Sequence, residues 1–256
     1  MDQFPSKKEE QVYLKRLKWQ FLLLAIGFTS VFLACEPEPK LPTKAYYYPL
    51  DSLYDGVVYE YRSLQQQQDP PFYRYFRTMD QDTAIYLTAM EYDLDYQPFQ
   101  FVREEMVSNG AQQIDYFLYE TDSSGYQNQI PVKVQNGNIF SFDWRKEQVL
   151  FYEIKYSLPS EPSSVYTLIR NRQYIGDTTW TYQGQTYDAM RIYVRELIDL
   201  EKDGHTEHEF DGEEIYAKGL GLVYYRKNVT NEFITEYHLV DRYPMEELER
   251  RFGANR

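Results

Sequence analysis

The sequence predicts an all-β fold: an antiparallel meander curled into a half-barrel or open barrel, closed by a short C-terminal helix. Three observations carry this. The pairs Asn109-Gly110, Ser124-Gly125, Asn136-Gly137, Gln183-Gly184, Asp203-Gly204 and Asp211-Gly212 punctuate β-prone runs, and Asn-Gly and Asp-Gly supply the positive φ angles of tight hairpin turns. No internal stretch longer than about ten residues has a helical period. Aromatic residues make up 18% of the chain, with 27 Tyr against 15 Phe; tyrosine suits a half-buried strand because its ring packs while its hydroxyl reaches water.

The first element is an apolar run, Phe21 to Ala34, 14 residues long, behind the basic Lys15, Arg16 and Lys18. Crossing a bilayer as a helix takes about 20 apolar residues, so the run is short for a permanent span and has the layout of a secretory signal. Phe32-Leu33-Ala34-Cys35 resembles the bacterial lipobox, with Phe32 departing from the Leu, Val or Ile usual there. The resemblance implies cleavage between Ala34 and Cys35 and lipidation of Cys35, the single cysteine. The membrane is then a partner through that anchor, since several acyl chains hold where one does not. Glu36 and Glu38 resemble the export tag of surface lipoproteins in Bacteroidota-type bacteria. A signal anchor ending in an unmodified cysteine and a cytosolic chain are the other readings. The expected organisation is a signal peptide at 1–34, a lipidated cysteine and proline-rich tether at 35–45, and one all-β domain at 46–256. The expected location is the outer membrane or cell envelope, periplasmic or surface-exposed.

The domain opens at Tyr46-Tyr47-Tyr48-Pro49-Leu50. Val57, Tyr59 and Tyr61 then alternate with Val58, Glu60 and Arg62, a period-two strand with one apolar face. Gln65 to Gln68 with Asp69-Pro70-Pro71 reads as a loop, because proline gives a ladder no donor. Strand-like runs follow at Phe72–Arg77, Thr83–Tyr92, Phe99–Val107, Gln113–Thr121, Ile130–Val134, Asn138–Phe142, Gln148–Tyr156, Val165–Arg170 and Thr178–Tyr182. Gln185–Glu201 is the longest, with Met190, Ile192 and Val194 on one face and Arg191, Tyr193 and Arg195 on the other. A strand of that length curls, which favours a barrel or half-barrel over a flat sandwich. Thr206–Ala217, Leu220–Lys227 and Glu232–Asp241 complete the meander. Pro244 is placed to start a helix, and Met245, Leu248 and Phe252 share one of its faces.

Tyr216-Ala217-Lys218-Gly219-Leu220-Gly221-Leu222-Val223 resembles the closing hairpin of uncharacterised lipoproteins from Bacteroidota-type bacteria, and the opening Tyr-Tyr-Pro-Leu resembles their start. That resemblance implies a twisted open sheet of the LolA/LolB-like kind and no activity. On the residues alone, Gly219 and Gly221 allow a tight bend or bulge. No helix follows them to make a phosphate cradle.

Candidate chemistry is sparse. Asp199, Glu201 and Asp203 ahead of Gly204 approximate the start of a calcium loop, but Phe210 stands where the bidentate carboxylate belongs. The same segment reads as an acidic hairpin with Glu201 facing Thr206 and Asp199 facing His208, so these three are weak metal candidates. His205 and His208, three apart on a strand, point to opposite faces and cannot share zinc without a bulge. No metal or other cofactor is expected, and no nucleophile–base signature is present. Removing residues 1–34 takes away five basic and three acidic side chains, leaving 22 and 37 and a net charge of −15. A surface that acidic excludes nucleic acid as a partner.

The residues therefore imply a non-enzymatic, lipid-anchored binding or assembly module that takes an apolar ligand or an envelope protein. A structural envelope protein without a ligand and a surface hydrolase using Asp/Glu are the alternatives.

Overall fold

The computed structural model describes residues 39–63, 69–122, 124–230 and 233–253. Ala34, Cys35 and the whole leader lie outside the described residues. The compact β unit begins at Lys40, six residues before the expected domain start at Tyr46. β1 (Lys40–Pro42) is followed by β2 (Val57–Arg62), β3 (Phe72–Gln81), β4 (Ala84–Tyr92), β5 (Pro98–Val107), β6 (Gly110–Thr121), β7 (Gln127–Pro131), β8 (Lys133–Ser141) and β9 (Asp143–Arg145). The second half holds β10 (Val149–Leu158), β11 (Glu161–Tyr182), β12 (Gln185–Glu201), β13 (His205–Ala217), β14 (Gly221–Asn228), β15 (Ile234–Tyr243) and the helix α1 (Met245–Gly253).

The meander closes. Strands pair antiparallel in chain order from β2 to β6 and from β10 to β15; β15 returns to β2, and β8 bridges β6 to β10. The result is a ring of 12 strands, where the LolA/LolB resemblance implies an open sheet. Closure joins the two ends of the meander through the β5–β6 pairing. β7 pairs with the far half of β6, so β7 and β8 together occupy one position in the wall.

Side-chain parity then sorts every strand into lumen and exterior. On β12, Met190 and Ile192 are buried in the interior, while Arg191 and Arg195 lie outside, paired with Glu213 and Glu209. β2 departs from its expected single apolar face. Tyr59 and Tyr61 pack inside the ring, but Val58 and Glu60 are buried too, under α1. The helix lies on the outer face of β2, β3 and β15, with Leu248 against Val58, Tyr73 and Tyr243. Arg251 is 2.8 Å from the Glu60 carboxylate, and the Tyr243 hydroxyl donates to it at 2.9 Å.

Two expected turns are strand interiors. Asn136-Gly137 lies within β8 and Asp211-Gly212 within β13. A Cβ on Gly137 would stand 2.2 Å from the Gln113 carbonyl oxygen, and one on Gly212 only 1.9 Å from that of Arg226. These glycines let neighbouring backbones approach, the other reason a strand carries one. Gln183-Gly184 is a two-residue turn with both φ angles positive, 50° and 80°, the signature of a type I′ hairpin. β11 is the longest strand at 22 residues, and the sequence divides it into two runs because a bulge between Tyr174 and Gly176 breaks its period.

The segment between β1 and β2 crosses one end of the ring. Thr43 donates through its N–H to Phe142 O and through its hydroxyl to Ser141 O at 2.6 Å. Gly219 N–H donates to Ala45 O at 2.9 Å, and the Thr78 hydroxyl to Leu50 O at 2.8 Å. These anchors sit at three separate points of the ring, so the segment spans that opening and delivers Tyr47 and Tyr48 into the lumen. Lys40–Pro42, expected to be tether, pairs with β9 and begins this plug.

Candidate functional site

The plugged end is filled with aromatic rings. Tyr48 sits 4.2 Å from Phe76 between ring centroids, Tyr47 is 5.2 Å from Phe140, and Phe140 is 5.1 Å from Tyr216. Trp144 is fully buried among them. Gly221, with φ +85°, has no Cβ because the Tyr48 ring occupies that space.

Above this floor the lumen opens into a cavity of about 600 Å³. Its walls carry charge. By register, Arg74 faces Glu91 across β3 and β4, and Arg170 faces Glu196 across β11 and β12. The guanidinium of Arg172 holds Glu214 through two bonds of 2.8 and 3.0 Å, and the Tyr216 hydroxyl donates to the same carboxylate at 3.2 Å. Arg170 donates twice to Glu196 Oε2, at 2.8 and 2.6 Å, while the Lys227 ammonium donates to Glu196 Oε1. Arg74 donates to Glu91, which also accepts from Gln100 at 3.0 Å. Glu104 has a different kind of partner, the Tyr47 hydroxyl rising from the floor.

The electrostatics follow from those pairings. Burial pushes the Glu196 carboxyl up, but Arg170 and Lys227 outweigh burial and hold it at about 2. Glu214 is lowered for the same reason, burial being outweighed by Arg172. On Glu104 burial dominates: the Tyr47 hydrogen bond and the more distant Arg74 and Arg172 only partly offset it, and the carboxyl titrates at about 7. Burial also raises the Tyr47 hydroxyl, and the neighbouring Glu104 raises it further. Three carboxylates of the lumen are thus committed to cations, and one is poised to hold a proton near neutrality.

None of these eight charged side chains stands out in the sequence, although one signal leads to them. Met190, Ile192 and Val194 define the inner face of β12, and Glu196 is the next residue in that series. Likewise Gly212, Glu214 and Tyr216 share one row of β13. The sequence-predicted metal candidates lie elsewhere. Asp199, Glu201 and Asp203 sit on the exposed β12–β13 hairpin, with a three-residue loop, Lys202 to Gly204. That loop shifts the expected register by one, so Glu201 opposes His205 and Asp199 opposes Glu207. The Asp199 carboxylate accepts from His205 Nδ1 at 3.0 Å. Among the described residues no group of three or more His, Cys, Asp or Glu side chains is arranged to hold a metal. His208 is exposed on this hairpin, and His238 packs against Trp180 and Tyr224.

Fold and cavity together define a closed antiparallel β-barrel with one filled end and one ligand-sized, charged chamber. No family model matches the sequence, and no curated protein is similar to it. Two crystal structures are similar to the chain. One is a Bacteroides fragilis protein provisionally described as exported, with a YmcC-like fold: TM-score 0.50, 7% identity, covering 77% of this chain and 98% of that one. The other is a Parabacteroides distasonis protein provisionally described as a lipoprotein: TM-score 0.46, 11% identity, covering 75% and 94%. At such identities the likeness concerns the fold.

Proposed function

We propose that this protein is a lipid-anchored lipoprotein of the bacterial envelope whose barrel binds a small polar molecule without transforming it. The cavity carries the reading: at about 600 Å³ it is of ligand size, and its opposite end is sealed by the 43–53 plug. The wall changes the ligand class expected from sequence. An apolar ligand would leave four cations and their carboxylates facing hydrocarbon, at a cost that polar contacts avoid. The anchor rests on the lipobox-like Phe32-Leu33-Ala34-Cys35, and the exported description of the Bacteroides fragilis structure accords with it. Two measurements test the proposal. The N-terminal peptide of the mature protein carries acyl mass on Cys35, and Cys35→Ser releases the protein from the membrane fraction. Native mass spectrometry of the full mature chain, extracted from its own envelope in mild detergent, shows a retained small molecule; a bare polypeptide mass would contradict ligand binding.

One observation favours a hydrolase instead: Glu104 combines a cavity position with a pKa near neutrality, as a general acid requires. Its candidate partner carboxylates, Glu91, Glu196 and Glu214, are each held by Arg or Lys. Release of p-nitrophenol from aryl esters or glycosides, lost in Glu104→Gln, is the result that would favour that reading.

A further inference from the structure

The charges of the lumen specify more than polarity. Parity places four cations on the inner wall, Arg74, Arg170, Arg172 and Lys227, against the carboxylates of Glu91, Glu104, Glu196 and Glu214. Of the other charged side chains near the opening, Asp211 is bound by Asn228 and exposed, Arg226 is bonded to Asn228 and exposed, and Asp93 accepts the Asp95 and Gln97 N–H groups. Within the lumen the match is uneven. Arg172 and Glu214 satisfy each other, and Arg74 pairs with Glu91, but Arg170 and Lys227 share the single carboxylate of Glu196. Among the described residues the fourth carboxyl, Glu104, forms no ion pair, and it is bound by a hydroxyl. Arg74 Nε is also buried with no hydrogen-bond partner among the described residues, a donor whose desolvation goes uncompensated unless something else accepts from it.

We propose that the chamber takes a molecule bearing one anionic oxygen group, a carboxylate or a phosphate ester, received between Arg170 and Lys227, which share Glu196, and Arg74 on the facing wall. The aromatic walls, Tyr225 and Tyr237 stacked at 5.4 Å and Tyr116 opposite, cover the rest of it. This inference rests on the ligand-binding reading above. It makes Glu104 the competitor of the bound anion. With its proton, Glu104 leaves the lumen one positive charge in excess, and the anion restores balance; ionised, it supplies that balance itself. The groups facing Glu104 are Tyr47 and Tyr48 from the plug, Arg74 from β3, Tyr152 from β10, Arg172 from β11 and Tyr216 from β13. The tyrosine hydroxyls stay protonated through neutrality, because burial raises all four, so Glu104 is the titrating member of this set.

The experiment uses the full mature chain extracted from its own envelope. The retained molecule is released by denaturation, identified by mass spectrometry in both polarities, and titrated back onto the protein. The expected molecule carries a carboxylate or phosphate. Partition into chloroform marks a lipid head group, and retention in the aqueous phase marks a soluble anion. Its apparent dissociation constant rises about tenfold from pH 6 to pH 8, the fall in the protonated fraction of a group titrating near 7. Glu104→Gln, nearly isosteric, removes that pH dependence. Lys227→Met weakens binding at least about tenfold, and Arg195→Gln, an exposed outer-face control, leaves it unchanged. A retained molecule that is neutral, cationic or purely hydrocarbon overturns the anion assignment and spares the binding reading. An empty barrel overturns both.

Discussion

The two ends of this barrel are built from the same strands by opposite rules. At the plugged end, successive inward residues are large and apolar: Met190 and Ile192 on β12, Phe76 on β3, Phe140 on β8, with Tyr47 and Tyr48 brought in by the crossing segment. At the open end, the next inward residues on the same strands are charged: Glu196 beyond Val194, Arg74 before Phe76. A closed ring of 12 strands encloses more space than side chains fill, since eight strands already give an interior just wide enough for them. One end is therefore filled by an added segment, and the other is lined by ion pairs that need their hydrogen bonds. The filled half stabilises the fold, and on the proposed reading the charged half gives up stability for recognition.

That contrast can be broken in a graded way. The largest effect belongs to the floor: Trp144→Ala, at a fully buried position, costs about 4 kcal/mol in denaturant unfolding and leaves the ligand chemistry of the chamber unaltered in whatever fraction stays folded. In the wall, Arg172→Met strands the Glu214 carboxylate and costs about 3 kcal/mol, whereas Arg172→Met with Glu214→Leu returns to within about 1 kcal/mol of the parent. Equilibrium unfolding of the two variants separates a wall kept for stability from one kept for binding; a double variant as unstable as the single one would contradict the contrast.

Protonation sharpens the same comparison. The Glu104 carboxyl titrates at about 7 in the folded chain against 4.5 as its ordinary value, so the folded state holds the proton more tightly between those pH values. Stability from this group is fully present below 4.5 and falls as pH rises to 7, by about 2 kcal/mol once cavity water is allowed for. Glu196 acts in the opposite sense: held at about 2, it contributes above its ordinary value and is lost as pH falls toward 2. Thermal unfolding across pH 3 to 8 is expected to peak near pH 4.5 to 5, with Glu104→Gln flattening the alkaline limb. The smallest effect is local: Gly212→Ala forces a Cβ toward the Arg226 carbonyl and costs about 1–2 kcal/mol, with a reduced affinity at Lys227, which pairs with Gly212 across the ladder.

How much of this was legible in the sequence varies with the kind of signal. Hairpin punctuation and period-two alternation lead to the antiparallel meander, to β12 from Gln185 to Glu201 and to the face of α1 that carries Leu248. Glycine is ambiguous: Gly184 makes a turn and Gly212 makes room for a neighbouring strand, and a residue name does not tell these apart. Ring closure depends on β5–β6–β8 pairing across a bulged wall, which no local pattern encodes. The chamber was hidden for a related reason. A charged residue on a strand is ordinarily outward, so Arg74, Arg172 and Glu214 read as surface until the closed ring shows which row they join. The weak metal candidates Asp199, Glu201 and Asp203 are the converse case: close in sequence, they sit on the β12–β13 hairpin with His205 as the neighbour.

The central claim is that the open half of the barrel is an occupied site, and a crystal structure of the protein taken from its own envelope at pH 6 tests it most directly. Continuous density beyond ordered water between Arg74, Arg170 and Lys227, with an anionic group within hydrogen-bond reach of them, is the predicted result. A chamber holding only waters hydrogen-bonded to the eight charged side chains would contradict the claim.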